Sequence, residues 1–232
     1  MPALPLRKIR SFVKRPGRIT AAQRRALDTL WPRWGIAFAD RRLELDAAFG
    51  RCAPRVLDIG FGDGEALLTS AANNPGVDYL GVEVHAPGIG HLLVLLERAA
   101  LTNVRIIDRD VVDVIGQMLG PASFDAVNVF FPDPWPKKRH HKRRLIGPDF
   151  VATLARLLKP RGLLHVATDW ADYAQQIRVT LGESRDFASV PPEEWAANPL
   201  ALRPPTKFER RGRRLGHEVV DFHYRSGGDT AA

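Results

Sequence analysis

Residues 55–65 read RVLDIGFGDGE. A short apolar run, Arg55–Ile59, meets a glycine-rich turn, the mark of a buried strand bending sharply into a helix. Gly60, Gly62 and Gly64 form GxGxG directly after that strand, where ligands of open α/β sheets bind. Glycine permits the tight turn and lets a ligand approach the backbone.

Outward from this turn, apolar strands alternate with helical spacing. Residues 78–84 (DYLGVEV) read as a second strand, 104–107 as a third, 125–131 (DAVNVFF) as a fourth and 162–168 (GLLHVAT) as a fifth. Between them, residues 88–100 place Leu92, Leu93, Leu95 and Leu96 on a helical face, and residues 111–119 form a weaker helix. Pro148 and Asp149 suit a first helical turn, LKPRG at 158–162 stops that helix, and residues 173–181 give another. Residues 217–224 (HEVVDFHY) alternate like a final strand with one wet face. This order predicts an α/β fold: a Rossmann-like, doubly wound, mostly parallel sheet with an antiparallel terminal strand. The expected organisation is a basic, partly flexible arm over residues 1–35, one domain over 36–225 and a disordered tail over 226–232.

At 232 residues and 45% hydrophobic, the chain can bury a full core as a single domain. One cysteine, Cys52, excludes an internal disulfide and fits a reducing, cytoplasmic compartment. The basic start has no apolar stretch behind it, so it is no secretory signal, and the run 92–96 is far too short to span a bilayer. Charge is placed unevenly within a net +8. Residues 1–50 hold eleven Lys or Arg against Asp28, Asp40, Glu44 and Asp46, and KKRHHKRR at 137–144 packs six cations into eight positions. Such density suits a polyanion, or else a solvated surface.

Carboxylates stand at the strand ends. Glu83 closes the second strand, about where an acidic residue accepts hydrogen bonds from ribose hydroxyls. The third glycine of the turn arrives one residue earlier than in the dinucleotide pattern GxGxxG, which favours S-adenosylmethionine (SAM) over NAD. Asp110 follows the third strand, where it could meet an adenine amino group, and Asp58 precedes the glycines at the methionine end of such a ligand. Taken singly, each aspartate could be a helix cap.

The fourth strand runs into FFPDPWPKKRHHKRR, residues 130–144. Asp133 lies there between Pro132 and Pro134, which restrict the backbone, and Trp135 offers a face on which a base could stack. Cations begin two residues later. Through this segment the chain resembles the bacterial tRNA (guanine-N(7)-)-methyltransferase family, a class I SAM-dependent group. The stretches that carry the resemblance are VLDIGFGDG, LGVEVH, FFPDPWPKKRHHKRR, ATDW and PPTKFERRG, in order from residue 56 to 212, together with an N-terminal RSFVKRPGRIT similar to the family's leading arm.

The resemblance implies SAM-contacting positions at Asp58, Glu83, Asp110 and Asp133, with Asp133 also at the catalytic position. It implies substrate contacts at Lys137, Asp169, Thr206, Lys207, Phe208 and Glu209, and RNA contacts at Arg139, His140, His141, Lys142, Arg143 and Arg144. Asp58 departs from the glutamate of many family members. By the same resemblance the substrate is a tRNA, methylated at guanine N7 of the variable-loop guanosine, position 46 of the tRNA. Asp169 could equally cap the next helix, Phe208 could be core, and Glu209 could pair with Arg210 or Arg211. His140 and His141 lie inside a cationic run that disfavours a metal, and no metal is expected. No membrane or obligate protein partner is expected, and a monomer or homodimer fits. Two other readings are an exocyclic-amino RNA methyltransferase, since Asp133-Pro134-Trp135 is similar to a DPPY loop without its second proline, and a non-catalytic RNA-binding protein on a methyltransferase scaffold.

Overall fold

The computed structural model describes residues 11–12, 17–198, 200 and 203–227. Seven strands form one sheet in the order β3-β2-β1-β4-β5-β7-β6. They are β1 (Arg55–Ile59), β2 (Asp78–Glu83), β3 (Val104–Asp108), β4 (Phe124–Phe130), β5 (Leu158–Thr168), β6 (Phe187–Ser189) and β7 (Val220–Ser226). The first five strands in spatial order pair in parallel, and β7 runs antiparallel to both of its neighbours. The doubly wound sheet with an antiparallel terminal strand is the predicted one. The added strand β6 is three residues long, too short for alternation to reveal it.

Alternate strand residues feed two cores. Leu57, Ile59, Leu80, Val82, Val127 and Val129 pack with α6 (Val111–Gln117), α7 (Pro148–Leu157) and α8 (Ala171–Gly182). Val56, Tyr79, Val104, Ile106 and Ala126 pack with α4 (Glu65–Asn73) and α5 (Ala86–Ala99). This two-sided burial is why the parallel strands read as unbroken apolar runs.

Three expected boundaries move. LKPRG does not merely stop α7: Leu158 already pairs with Phe124, so β5 begins there. The last strand begins at Val220 rather than at 217, because Gly216 turns the chain at φ 78° and aims His217 at Asp169. Ser226 belongs to β7 and is buried, while residues 228–232 of the expected tail lie outside the described residues.

Within the expected arm, residues 1–10 and 13–16 likewise lie outside the description. Residues 21–34 form two helices that bury Ala26 and Trp34. The helix α1 (Ala21–Thr29) opens with a capping box in which Thr20 and Gln23 satisfy each other's backbone N–H, and its Ala26 joins the α5 side of the core. In α2 (Trp31–Trp34), the indole of Trp34 is fully buried and donates to Leu101 O at 2.9 Å. Ile36 N then donates to Ile106 O, covering the β3 edge of the sheet. A further helix, α3 (Leu45–Phe49), leads into β1. Among the described residues, no helix is long and apolar enough to cross a membrane.

Candidate active site

The turn after β1 explains its glycines: Gly60, Gly62 and Gly64 have φ of 72°, 64° and 79°, a region costly to residues with a Cβ. Glu83, at the end of β2, fastens this turn. One carboxylate oxygen accepts from Gly62 N at 2.9 Å, and the other accepts from Val84 N at 2.6 Å and His85 N at 3.0 Å. Burial raises the Glu83 pKa, although the three N–H donors pull against it.

A cavity of about 180 Å³ opens at the carboxyl ends of the strands. Gly60, Glu83, Asp110 and Asp133 line it, with apolar walls from Ile59, Val82, Val84, Val111 and Val129. A smaller cavity of about 20 Å³ lies next to it, lined by Asp58, Gly60, Phe61, Thr206, Lys207 and Phe208 among others. Phe130, Phe131 and Phe208 line both. Asp110 also serves as the N-cap of α6, accepting from Val112 N at 3.1 Å, so the residue that lines the cavity has the capping role as well.

Asp58 is 4% exposed on β1 and has its pKa raised to about 7, first by burial and further by Glu83, against a hydrogen bond involving Asn128. The folded protein therefore holds a proton that the unfolded chain, with an ordinary value of 3.8, releases. Stability falls as pH rises from about 4 through about 7, and the penalty is complete above that. Asp58→Asn is expected to stabilise the ligand-free protein more at pH 8 than at pH 5, read from urea midpoints. Equal effects at both would overturn the burial argument.

The segment after β4 is strained: Phe131 and Trp135 have φ of 51° and 45°, on either side of Asp133. Trp135 donates its indole N–H to Ser11 O at 2.9 Å, and the Arg143 guanidinium lies 5.0 Å from its ring centroid. Its stacking face is thus partly taken by a cation.

Within the cationic run, Lys138–Arg143 form a 3-10 turn with no buried residue, and Arg144 follows it. Lys137, Arg139 and Lys142 are exposed, and His140 and His141 are half-buried. Arg144 is buried and donates to Pro134 O and Gln176 Oε1, both at 2.8 Å, and to Asp172. Its hydrogen bond holds the Asp172 carboxyl below the usual range.

After α9 (Pro192–Ala196), Thr206 caps α10 (Lys207–Arg214), accepting from Glu209 N at 3.1 Å. Phe208 is 50% exposed, with its ring 6.4 Å from that of Phe131. Glu209 is buried instead, one oxygen taken by Arg203 and the other by Arg213 at 2.6 Å. Asp169 does not line the main cavity; it sits against α10, where a Cβ on Gly212 would lie 2.7 Å from its Oδ2, and His217 Nδ1 is 3.3 Å away. The structure thus brings Gly60, Glu83, Asp110, Asp133 and Phe208 to one cavity and Asp58, Thr206 and Lys207 to its neighbour. Arg203, Phe130, Phe131, Ser11 and Phe12 belong to these surroundings and were not singled out by the sequence reading, although FF before Pro132 was visible.

Among the described residues, one group has metal-ligand potential: donor atoms of His165, Asp221 and His223 lie within 4.8 Å of one another. Arg203 forks onto both Asp221 oxygens, at 2.9 and 3.1 Å, and a cation would have to displace it.

A doubly wound sheet with a glycine turn after β1 and carboxylates along the strand ends is the fold of class I methyltransferases. Solved structures share the fold: the 16S rRNA methyltransferase KamB, at TM-score 0.54 and 17% identity, covers 79% of this chain and 93% of its own. TrmN from Thermus thermophilus, at TM-score 0.50 and 18% identity, covers 78% and 46%. A family model described as "Putative methyltransferase" matches residues 52–222. Curated tRNA (guanine-N(7)-)-methyltransferases are far more similar. The one from Halorhodospira halophila is 53% identical over 226 residues, covering 97% of this chain and 98% of the relative. That from Alkalilimnicola ehrlichii is 52% identical over 222 residues, covering 94% and 93%. The chain belongs to the tRNA (guanine-N(7)-)-methyltransferase family.

Proposed function

We propose that this chain transfers the methyl group of S-adenosylmethionine to N7 of a guanine in tRNA, the variable-loop guanosine at tRNA position 46, in the cytoplasm. The observation that carries the reading is the convergence of Glu83, Asp110 and Asp133, from three strand ends, on one cavity beside exposed cations. The lining fits SAM: apolar valines suit an adenine ring, and carboxylates suit ribose hydroxyls and a sulfonium cation. SAM supplies an electrophilic methyl group when bound.

Guanine N7 has a free lone pair and no proton to lose, so the residues here have to position and stabilise rather than abstract. Asp133 would face the purine as it becomes cationic, and the exposed Phe208 ring would stack on a base. Lys137, Arg139 and Lys142 would hold phosphates; Arg144 and Glu209, buried in ion pairs, would hold the loops that carry the others. Incubation with unmodified tRNA and SAM, followed by nucleoside mass spectrometry, should give 7-methylguanosine. An exocyclic methylguanosine, whose ring stays neutral, would overturn the reading.

The burial of Arg144 separates it from its neighbours in a test. Arg139→Ala with Lys142→Ala should reduce the log–log salt slope of tRNA binding by about 0.7 to 0.9 per residue. Arg144→Ala should leave that slope unchanged and cost about 1–3 kcal/mol of stability, since it strips a loop carbonyl, Pro134 O, and a side chain of α8, Gln176, of their donor. A slope reduced equally by Arg144→Ala would show that this arginine reaches phosphate.

A further inference from the structure

We infer that Arg203 is a positioning residue for methyl transfer: one guanidinium that fixes the Asp133 segment and the start of α10 relative to each other. This rests on the functional reading above and adds to it a residue outside the cavity. Arg203 is only 9% exposed in its side chain, so it acts through what it touches. Along one edge it donates to both Asp221 oxygens, from Nε at 2.9 Å and Nη2 at 3.1 Å. Its remaining Nη1 donates to Glu209 Oε2. Its face lies 5.6 Å from the ring centroids of both Phe130 and Phe131.

Each of these partners is anchored elsewhere. Burial holds His165 below the usual imidazole range, so its neutral ring donates a hydrogen bond from Nε2–H to Asp221 Oδ1 at 2.7 Å. Burial raises the Asp221 carboxyl, but hydrogen bonds from His165 and Arg203 prevail and hold it well below the usual carboxylate range. Asp221 on β7 and His165 on β5 therefore make a fixed post in the sheet. Glu209 carries the post into α10: its N–H is the one that Thr206 Oγ1 caps, so holding its carboxylate sets where Thr206, Lys207 and Phe208 stand.

The Phe131 contact carries the post the other way. Phe131 sits at φ 51°, a conformation that persists only where its surroundings over-determine it. Arg203 on one side and Phe208 nearby provide that surrounding, two residues before Asp133. A planar fork meets Asp221 in bidentate fashion, reaches Glu209 and stacks on rings at once; an ammonium group does none of this fully. Loss of the fork leaves the cofactor-side residues Glu83 and Asp110 in place while the Asp133 segment and α10 drift apart. A misplacement of about 1 Å in such a site costs on the order of a hundredfold at most.

The test uses the full chain with Arg203→Lys, Arg203→Met and Glu209→Gln, assayed well below their thermal midpoints. Single-turnover rate at saturating SAM and tRNA should fall about tenfold in each, while calorimetric SAM affinity stays within about threefold of wild type. Arg203→Met combined with Glu209→Gln should be no slower than the worse single variant, since both break one connection. If Arg203→Met fails to fold, Arg203→Lys and Glu209→Gln decide the matter. Rates within twofold of wild type in folded variants, or SAM affinity falling in step with rate, overturn the inference while wild type still makes 7-methylguanosine. Wild type making none defeats the functional reading and this inference with it.

Discussion

Asp133→Asn is expected to lower the single-turnover rate of tRNA methylation by about a hundredfold or more, the magnitude of losing one preorganised stabilising group. The substitution keeps the shape of the side chain and removes its charge. Methyl transfer moves positive charge from sulfur onto the purine ring, so a fixed carboxylate at the ring favours the product-like state. Asp133 meets the geometric requirement: it lines the cavity on a segment stiffened by Pro132 and Pro134 and held in an unusual backbone conformation at Phe131 and Trp135. Binding of tRNA should change much less, and SAM affinity should drop somewhat because the same cavity serves the cofactor. The wild-type rate should not require ionisation of a general base. Near-equal rates for the two proteins at saturating SAM and tRNA would reduce Asp133 to a structural loop residue. Asp169, packed against Gly212 of α10, would be tested next.

The parallel strands and the glycine turn were legible because burial on both sheet faces leaves apolar runs, and because positive φ at Gly60, Gly62 and Gly64 excludes most other residues. Thr20 with Gln23, and Thr206 with Glu209, were also present as capping pairs that announce α1 and α10, yet neither segment has apolar periodicity to draw the eye. What the sequence hid is which charges are buried. KKRHHKRR looks uniformly solvated, but Arg144 is withdrawn beneath it because Pro134 O of the same segment and Gln176 and Asp172 of α8 converge there. Glu209 next to Arg210 and Arg211 suggested a local ion pair. Its partners are instead Arg203 and Arg213, chosen by the turn of α10 and the approach of β7. The Glu209–Arg213 pair is an i,i+4 pair on α10, but the burial of Arg144 and of Arg203 depends on Gln176, Asp172 and Asp221, which packing brings from further along the chain.

Glu83→Ala should weaken SAM binding by about tenfold to a hundredfold, corresponding to roughly 1.5–3 kcal/mol for a buried charge-assisted hydrogen bond. The structure adds a second consequence. The carboxylate already accepts three backbone N–H groups, so alanine would strand donors on Gly62, Val84 and His85, and the ligand-free protein should lose stability as well. Glu83→Gln separates the two effects, since it retains one acceptor oxygen and most of the volume but no charge. Stability should recover in part with Gln, whereas SAM affinity should remain low if ribose hydroxyls need a carboxylate with lone pairs left over after the backbone is served. Because burial raises the Glu83 pKa, the empty site favours the protonated acid more than water would, and a ligand that donates hydrogen bonds favours the anion. Wild-type SAM affinity should therefore increase as pH is raised through this titration, with proton release on binding, and that dependence should weaken in Glu83→Gln. Calorimetry in buffers of different ionisation enthalpy measures both quantities. SAM affinity unchanged in Glu83→Ala and Glu83→Gln would leave Glu83 as a brace for the glycine turn alone.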